Sequence, residues 1–275
     1  PLSHVFERVA GHFYGMFAGI TSSYAQSIET FAVDIREKKP TVVLAVPRVC
    51  EKVYQKITLQ VDEQPQWKQT LFHWGHEIGL KRSELKEKKK KIPLLMALKY
   101  KIAYLLIFKK LSQALGGRVR WMTASGAPTS KKIIQFFNAA GISVIEGYGM
   151  TECCAPATLS GLYDYRIGTV GKPLPDVAVK IAPDGEILIK GDNVFAGYWK
   201  MEEKTKEAFT EEGYLKSGDI GEFKDGFLTI TDRKKDLIIT SGGKNVAPQK
   251  IEGLFLSDPL FLNFVVIGEK KKFLS

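Results

Sequence analysis

The sequence predicts an α/β protein: a parallel, helix-covered sheet, a small β-rich subdomain, and the start of an α+β C-terminal domain. Three observations predict it. Short β-branched or apolar runs alternate with helical patterns up to about residue 150, which implies parallel strands with helices on the sheet faces. After Glu152 come Pro173, Pro175 and Pro183, the Asp184-Gly185 and Asp225-Gly226 pairs, and runs of period-two alternation, the pattern of antiparallel hairpins. A charged cluster at Asp232–Asp236 then leads into a further strand, a glycine pair and a helix pattern. The boundaries read as 1–165, 166–234 and 235–275.

Taken in order, residues 1–20 give a turn and then a helix rich in aromatic and small residues. Thr41–Val46 is a buried strand ended by Pro47, because the residue before proline is held extended. Arg48 to about Leu80 is helical. Lys86–Lys91 opens a basic stretch that Gly116-Gly117 closes. Val119–Thr123 is the next strand, Ser130–Ala140 a helix ending at Gly141, and Ile142–Ile145 a buried strand. Glu186–Lys190 and Phe227–Ile230 alternate as short antiparallel strands, Leu237–Thr240 is a strand, and a helix begins at Pro248.

At 275 residues the chain can bury a sizeable core and hold more than one domain, and 44% hydrophobic residues suit a soluble globular protein. The three cysteines, Cys50, Cys153 and Cys154, form no disulfide framework, since adjacent cysteines rarely bridge; a reducing cytoplasm is the expected compartment. No signal peptide and no uncharged apolar run long enough to span a bilayer is visible. The net charge of +10 is local: residues 81–110 carry eleven Lys or Arg against two Glu, which gives +9. That argues against a general nucleic-acid surface. Lysines beside an apolar helical pattern (Ile92–Leu98, Tyr104–Phe108) suit an anionic membrane surface, while the apolar side itself is expected to pack on the domain. His73 and His76 sit at helical spacing, but zinc needs three or four ligands, so they read as a structural or surface pair.

Three motifs carry chemistry. Gly147-Tyr148-Gly149-Met150-Thr151-Glu152 follows the Ile142–Ile145 strand. Its glycines allow close backbone approach to a flat ligand, and a hydroxyl beside a carboxylate can hold a phosphate oxygen and a hard cation. Upstream lies Thr123-Ala124-Ser125-Gly126-Ala127-Pro128. Downstream come Ser217-Gly218-Asp219, Thr231-Asp232-Arg233-Lys234-Lys235-Asp236 and Ser241-Gly242-Gly243-Lys244-Asn245. Each alone has an ordinary alternative: a turn, a core tyrosine, a solvated charge cluster.

In this order, the motifs resemble the adenylate-forming superfamily, and most closely the AMP-forming long-chain acyl-CoA synthetases, over essentially the whole chain. The resemblance implies ATP, Mg²⁺ and coenzyme A as cofactors and a long-chain fatty acid as substrate. The carboxylate attacks the α-phosphorus of ATP, giving acyl-AMP and pyrophosphate, and the thiol of coenzyme A then displaces AMP. It implies that Tyr148 stacks on adenine while Gly126, Gly147 and Gly149 line the nucleotide. Thr151 contacts the α-phosphate, Glu152 holds Mg²⁺, Asp219 accepts from both ribose hydroxyls, Arg233 lies by the ribose, and His4 sits near the acyl carboxylate. Lys235 is the hinge of a mobile C-terminal domain, whose Gly242-Gly243-Lys244 loop approaches the coenzyme A thiol arm. Two family features have no counterpart here: the Ser/Thr/Gly-rich phosphate loop with its lysine, and the catalytic lysine late in the last domain. The chain therefore resembles an internal fragment, inactive alone. The rival expectations are a ligase for another acyl group or acceptor, and a non-catalytic module binding a membrane or a partner.

Overall fold

The computed structural model describes residues 2–127, 129–239, 241, 245–246, 248–255, 261, 264–268, 271 and 273–274. These fall into two compact units. One comprises Pro1–Gly147 with Ser160–Gly168, the other Tyr148–Leu159 with Thr169–Ser275.

In the first unit a π-helical stretch, Glu7–Phe13, runs into α1 (Tyr14–Phe17), followed by α2 (Phe31–Lys38) and β1 (Val42–Val43). Then come α3 (Pro47–Asp62), α4 (Gln66–Glu87) and α5 (Leu94–Ala103). A π-helical turn, Tyr104–Phe108, joins α5 to α6 (Lys109–Ala114). β2 (Trp121–Thr123), α7 (Lys131–Ala139) and β3 (Ser143–Ile145) complete the alternation. The sheet order is β1-β2-β3, all parallel, with Val42 opposite Trp121 and Met122 opposite Val144. This is the expected parallel sheet with helices.

Two details differ from the sequence expectation. The helical pattern Arg48–Leu80 is two helices, because Pro65 has no N–H to continue α3 and instead precedes α4, its carbonyl accepting from Lys68 N–H at 2.8 Å. The Thr41–Val46 strand keeps only Val42 and Val43 in ladder pairing. Beyond them Ala45 bonds a side chain: Thr123 Oγ1 accepts from Ala45 N–H at 2.9 Å and donates to its carbonyl at 3.2 Å. The core fills with Phe108, Met122, Ile134, Phe136 and Phe137, all essentially fully buried. His76 stacks parallel to Phe72 and lies 5.7 Å from the Phe136 ring, and burial lowers its pKa. Gly116 ends the α6 region with φ +87°, and a Cβ there would press on the Ile35 carbonyl oxygen at 2.5 Å.

The second unit holds a sheet ordered β4-β5-β6, made from β4 (Gly147–Met150), β5 (Ala155–Leu159) and β6 (Lys172–Pro173). A four-stranded antiparallel sheet, ordered β10-β9-β8-β7, is the expected β-rich part: β7 (Val177–Ile181), β8 (Glu186–Gly191), β9 (Leu215–Lys224) and β10 (Phe227–Arg233). Between β8 and β9 lies α8 (Glu202–Ala208). Asp225 and Gly226 both have positive φ, the backbone of a two-residue hairpin turn, and they join β9 to β10 as the Asp-Gly pair foretold. β11 (Ile238–Ile239) pairs antiparallel with β12 (Asn245–Val246), and α9 (Pro248–Phe255) follows. No helix among the described residues is long and apolar enough to cross a membrane.

Gly149 shows how tightly β4 meets β5. A Cβ at this position would overlap the Ala155 carbonyl oxygen, a backbone atom that cannot swing away. Gly149→Ala is expected to destabilise the fold by roughly 2 kcal/mol through this overlap. Chemical denaturation checks it: an unchanged midpoint would mean the strands separate freely.

Candidate nucleotide site

Several of the residues singled out from sequence lie together in the second unit. Tyr148 is buried in its core with Cys153, Ala157, Ile187, Ile189, Leu215 and Leu228. Its hydroxyl donates to Asp219 Oδ2 at 2.7 Å. Burial, and next the Asp219 carboxylate, hold the phenol far above its usual range, so it stays a donor. On the other side of the carboxylate, Arg233 Nε lies 3.3 Å from Asp219 Oδ1, and the two residues face each other in the β9–β10 register. Asp219 is largely buried and Arg233 more than half exposed, so the guanidinium keeps donors to spare.

A second network fixes this part of β9, and sequence reading missed it. Glu186 Oε1 accepts from Gly218 N–H at 2.9 Å, while its Oε2 takes Lys234 Nζ at 2.8 Å. Lys234 also reaches Asp184 Oδ2 at 2.6 Å, and its N–H donates to the Gly218 carbonyl at 2.8 Å. Gly218, at φ +72°, lies in the irregular part of β9, where the register with β8 shifts, just before Asp219. The carboxylates raise the Lys234 pKa, Asp184 first, and Lys234 in turn lowers that of Asp184. The network was not legible because Glu186 lies thirty-two residues from Gly218 and falls within an alternating strand pattern.

Thr151 and Glu152 sit in a single 3-10 turn, Thr151–Cys153, between β4 and β5. Cys153 holds this turn: its Sγ accepts from Met150 N–H at 3.2 Å and donates to the Ala155 carbonyl at 3.1 Å. Asn193 Nδ2 donates to the Cys153 carbonyl at 2.9 Å, and Phe195 N–H to that of Glu152 at 2.7 Å. The Glu152 carboxylate accepts from the Tyr198 hydroxyl at 2.9 Å and remains partly exposed, beside the exposed Thr151. One carboxylate with open lone pairs next to a hydroxyl fits a magnesium ion, which takes few protein ligands and otherwise water and phosphate. Among the described residues, no group of three or more His, Cys, Asp or Glu could hold a metal without substrate.

Lys235 is exposed in the turn after β10, which is closed by N–H donation from Asp236 and Leu237 to the Arg233 carbonyl at 3.0 and 3.1 Å. In the first unit, Gly126 follows β2 at φ +92° with open space where a Cβ would stand. His4 Nδ1 in that unit accepts from Phe6 N–H at 3.2 Å, a local turn contact. Gly147 begins β4 at the edge of the first unit. Gly242, Gly243 and Lys244 lie outside the described residues.

Just before Gly147, Glu146 is a further carboxylate that sequence reading passed over. Burial pushes it up to about 8, against opposing pulls from the Gly168 N–H and the Lys131 charge. Folding therefore retains a proton that the unfolded carboxyl, near 4.5, releases. This contribution is present at low pH, declines as pH rises from about 4.5 to about 8, and is flat above. Glu146→Gln removes the charge and the slope. Between about pH 6 and about pH 9 the wild type is expected to lose roughly 2–3 kcal/mol more than the variant. Parallel denaturation curves for both proteins at those pH values check this; identical slopes would mean an ordinary carboxylate.

The family described as AMP-binding enzyme matches residues 1–199. The chain belongs to that family. Among curated relatives, it is 39% identical over 275 residues to the long-chain-fatty-acid–CoA ligase FadD15 of Mycobacterium bovis, covering 100% of this chain and 45% of that protein. To the ligase ACSBG2 of Xenopus laevis it is 39% identical, covering 100% of this chain and 38% of that protein. The chain thus spans less than half the length of these relatives. Among solved structures, it resembles o-succinylbenzoate coenzyme A synthetase from Bacillus subtilis in complex with ATP and magnesium, with TM-score 0.68, 25% identity, and coverage of 100% of this chain and 48% of that one. A fatty acyl CoA synthetase of Mycobacterium tuberculosis matches with TM-score 0.60 and 26% identity, over 97% of this chain and 45% of that one. The adenylate-forming fold expected from the motifs is therefore the fold of this AMP-binding family member.

Proposed function

We propose that this sequence is the nucleotide-holding part of an ATP-dependent long-chain fatty acid–CoA ligase. The observation that carries the reading is the Tyr148–Asp219–Arg233 contact, which presents a fixed, ionisable acceptor pair flanked by a cation. Such a carboxylate can accept from two vicinal ribose hydroxyls at once. Arg233 stands by the same sugar, adenine stacks on Tyr148, and the Gly126, Gly147 and Gly149 backbones line the nucleotide. The α-phosphate falls to Thr151, with His4 toward the acyl carboxylate. A magnesium ion on Glu152 would neutralise the phosphates as two anions are brought together. Lys235 is the pivot between the half-reactions, and Gly242, Gly243 and Lys244 serve the coenzyme A arm.

The long-chain choice among acyl groups rests on likeness to the fatty-acid ligases above. The place of work is the cytoplasm, with peripheral contact between residues 81–110 and an anionic membrane. By itself the 275-residue chain makes no acyl-CoA, since it holds neither the phosphate loop with its lysine nor the catalytic lysine of the last domain to stabilise the pyrophosphate and carboxylate charges. The test is pyrophosphate release from ATP over carboxylic acids of graded length, with and without coenzyme A. A full-length protein bearing this sequence is expected to respond to long-chain acids and the purified 275-residue chain to none. Preference for a short or aromatic acid would overturn the substrate, and turnover by the chain alone would overturn the division of labour.

A further inference from the structure

The apolar side of the basic segment does not wholly pack on the domain, as the sequence suggested. Ala103, Phe108 and Leu111 are buried, and Tyr100, Tyr104 and Ile107 pack around them. A different set faces outward: Leu94, Leu95, Leu98, Ile102, Leu105 and Leu106 are between 44% and 87% exposed. At about 100° per residue these six fall in one sector roughly 120° wide, running along α5 and the π-helical turn. The helix is therefore apolar on two sides, and a surface helix needs only one. Exposed lysines border the outer stripe: Lys99 and Lys101 within α5, Lys109 and Lys110 at the start of α6, and Lys88, Lys90 and Lys91 before α5. The only acidic residues in 81–110 are Glu84 and Glu87, which lie on α4.

We propose that this stretch is a membrane-insertion helix. The leucine stripe enters the acyl region of an anionic leaflet while the lysines meet lipid phosphates. This rests on the peripheral-contact reading of residues 81–110 and goes beyond it, since charge alone would leave the protein above the headgroups. Charge decides the occupant: a purely apolar partner would leave the bordering lysines unused, and an anionic leaflet satisfies both features. A long-chain fatty acid partitions into the same leaflet, so the surface would hold a ligase where its substrate collects.

The test uses the full chain with vesicles of phosphatidylcholine alone or mixed with phosphatidylglycerol, at low and high salt. Sedimentation gives binding, and the quenching that Leu95→Trp adds over the wild type's four tryptophans, with lipids brominated in their acyl chains, gives depth. The wild type is expected to bind the mixed vesicles. The triple variant Leu94→Ser, Leu95→Ser, Leu98→Ser should bind at least about tenfold more weakly, with an unchanged circular dichroism spectrum because the leucines are exposed. Lys90→Gln with Lys91→Gln should weaken binding about tenfold at low salt and less at high salt. If the leucine variant binds like wild type while the lysine variant does not, insertion is overturned and surface attraction survives. If the wild type ignores phosphatidylglycerol, both readings fail. A dimer of wild type that the leucine variant dissolves, without vesicle binding, would assign the stripe to a second copy and overturn the proposal.

Discussion

Glu152→Gln in a full-length protein bearing this sequence is expected to lower acyl-AMP formation about a hundredfold or more, with the fold intact. The glutamine carbonyl can still accept from the Tyr198 hydroxyl, which lies 2.9 Å from the present carboxylate. The backbone bonds of the turn, from Phe195 N–H to the Glu152 carbonyl and from Asn193 to that of Cys153, do not involve the side chain. What is lost is the negative charge, on which coordination of a hard cation depends. The loss should therefore appear in the chemical step and not in the melting temperature. Quench-flow measurement of acyl-AMP checks it, and near-normal formation by a folded variant would remove Glu152 from the metal.

The second large effect concerns Lys235. Its predecessor Lys234 is pinned by Asp184 and Glu186, while Lys235 is exposed in the turn that follows. A pivot must absorb a large φ/ψ change at very few residues, and a residue just past an anchored one is where that change can occur. Proline would fix φ near −65° and remove the amide donor. Lys235→Pro is therefore expected to leave acyl-AMP formation within about threefold of wild type while thioester formation falls about a hundredfold. Single-turnover assays of each half-reaction separate these outcomes. Equal losses in both would indicate misfolding, and unchanged thioester formation would place the pivot elsewhere.

The strands of the parallel sheet, the β-rich part and the Asp225-Gly226 turn were legible because each is written in a local pattern of period, branching or turn chemistry. Pro65 was legible in principle, but the helical periodicity on both sides hid the break. The site was legible only in part. Asp219 and Arg233 stand in recognisable motifs, and they do meet. The contacts of Glu186, Lys234, Tyr198 and Asn193 were not legible, since their partners lie dozens of residues away and only the folded chain brings them near. Tyr148 shows a third case. Its sequence setting left a core ring and a ligand-facing one both open, with adenine stacking implied only by the resemblance; the residue is 7% exposed and its hydroxyl donates to Asp219. A buried tyrosine and a ligand-facing one look alike in sequence, because both follow a strand and both are flanked by glycine.

On the proposed function, Asp219, oriented by Tyr148 and Arg233, holds the ribose of an adenine nucleotide. Calorimetric titration of the full-length protein with AMP and with 2′-deoxy-AMP tests it most directly, in wild type and in Asp219→Ala. The wild type is expected to bind AMP about tenfold tighter than the deoxy analogue, and the variant to lose that preference. Equal binding of the two nucleotides by wild type, or an undiminished preference in the variant, would contradict it.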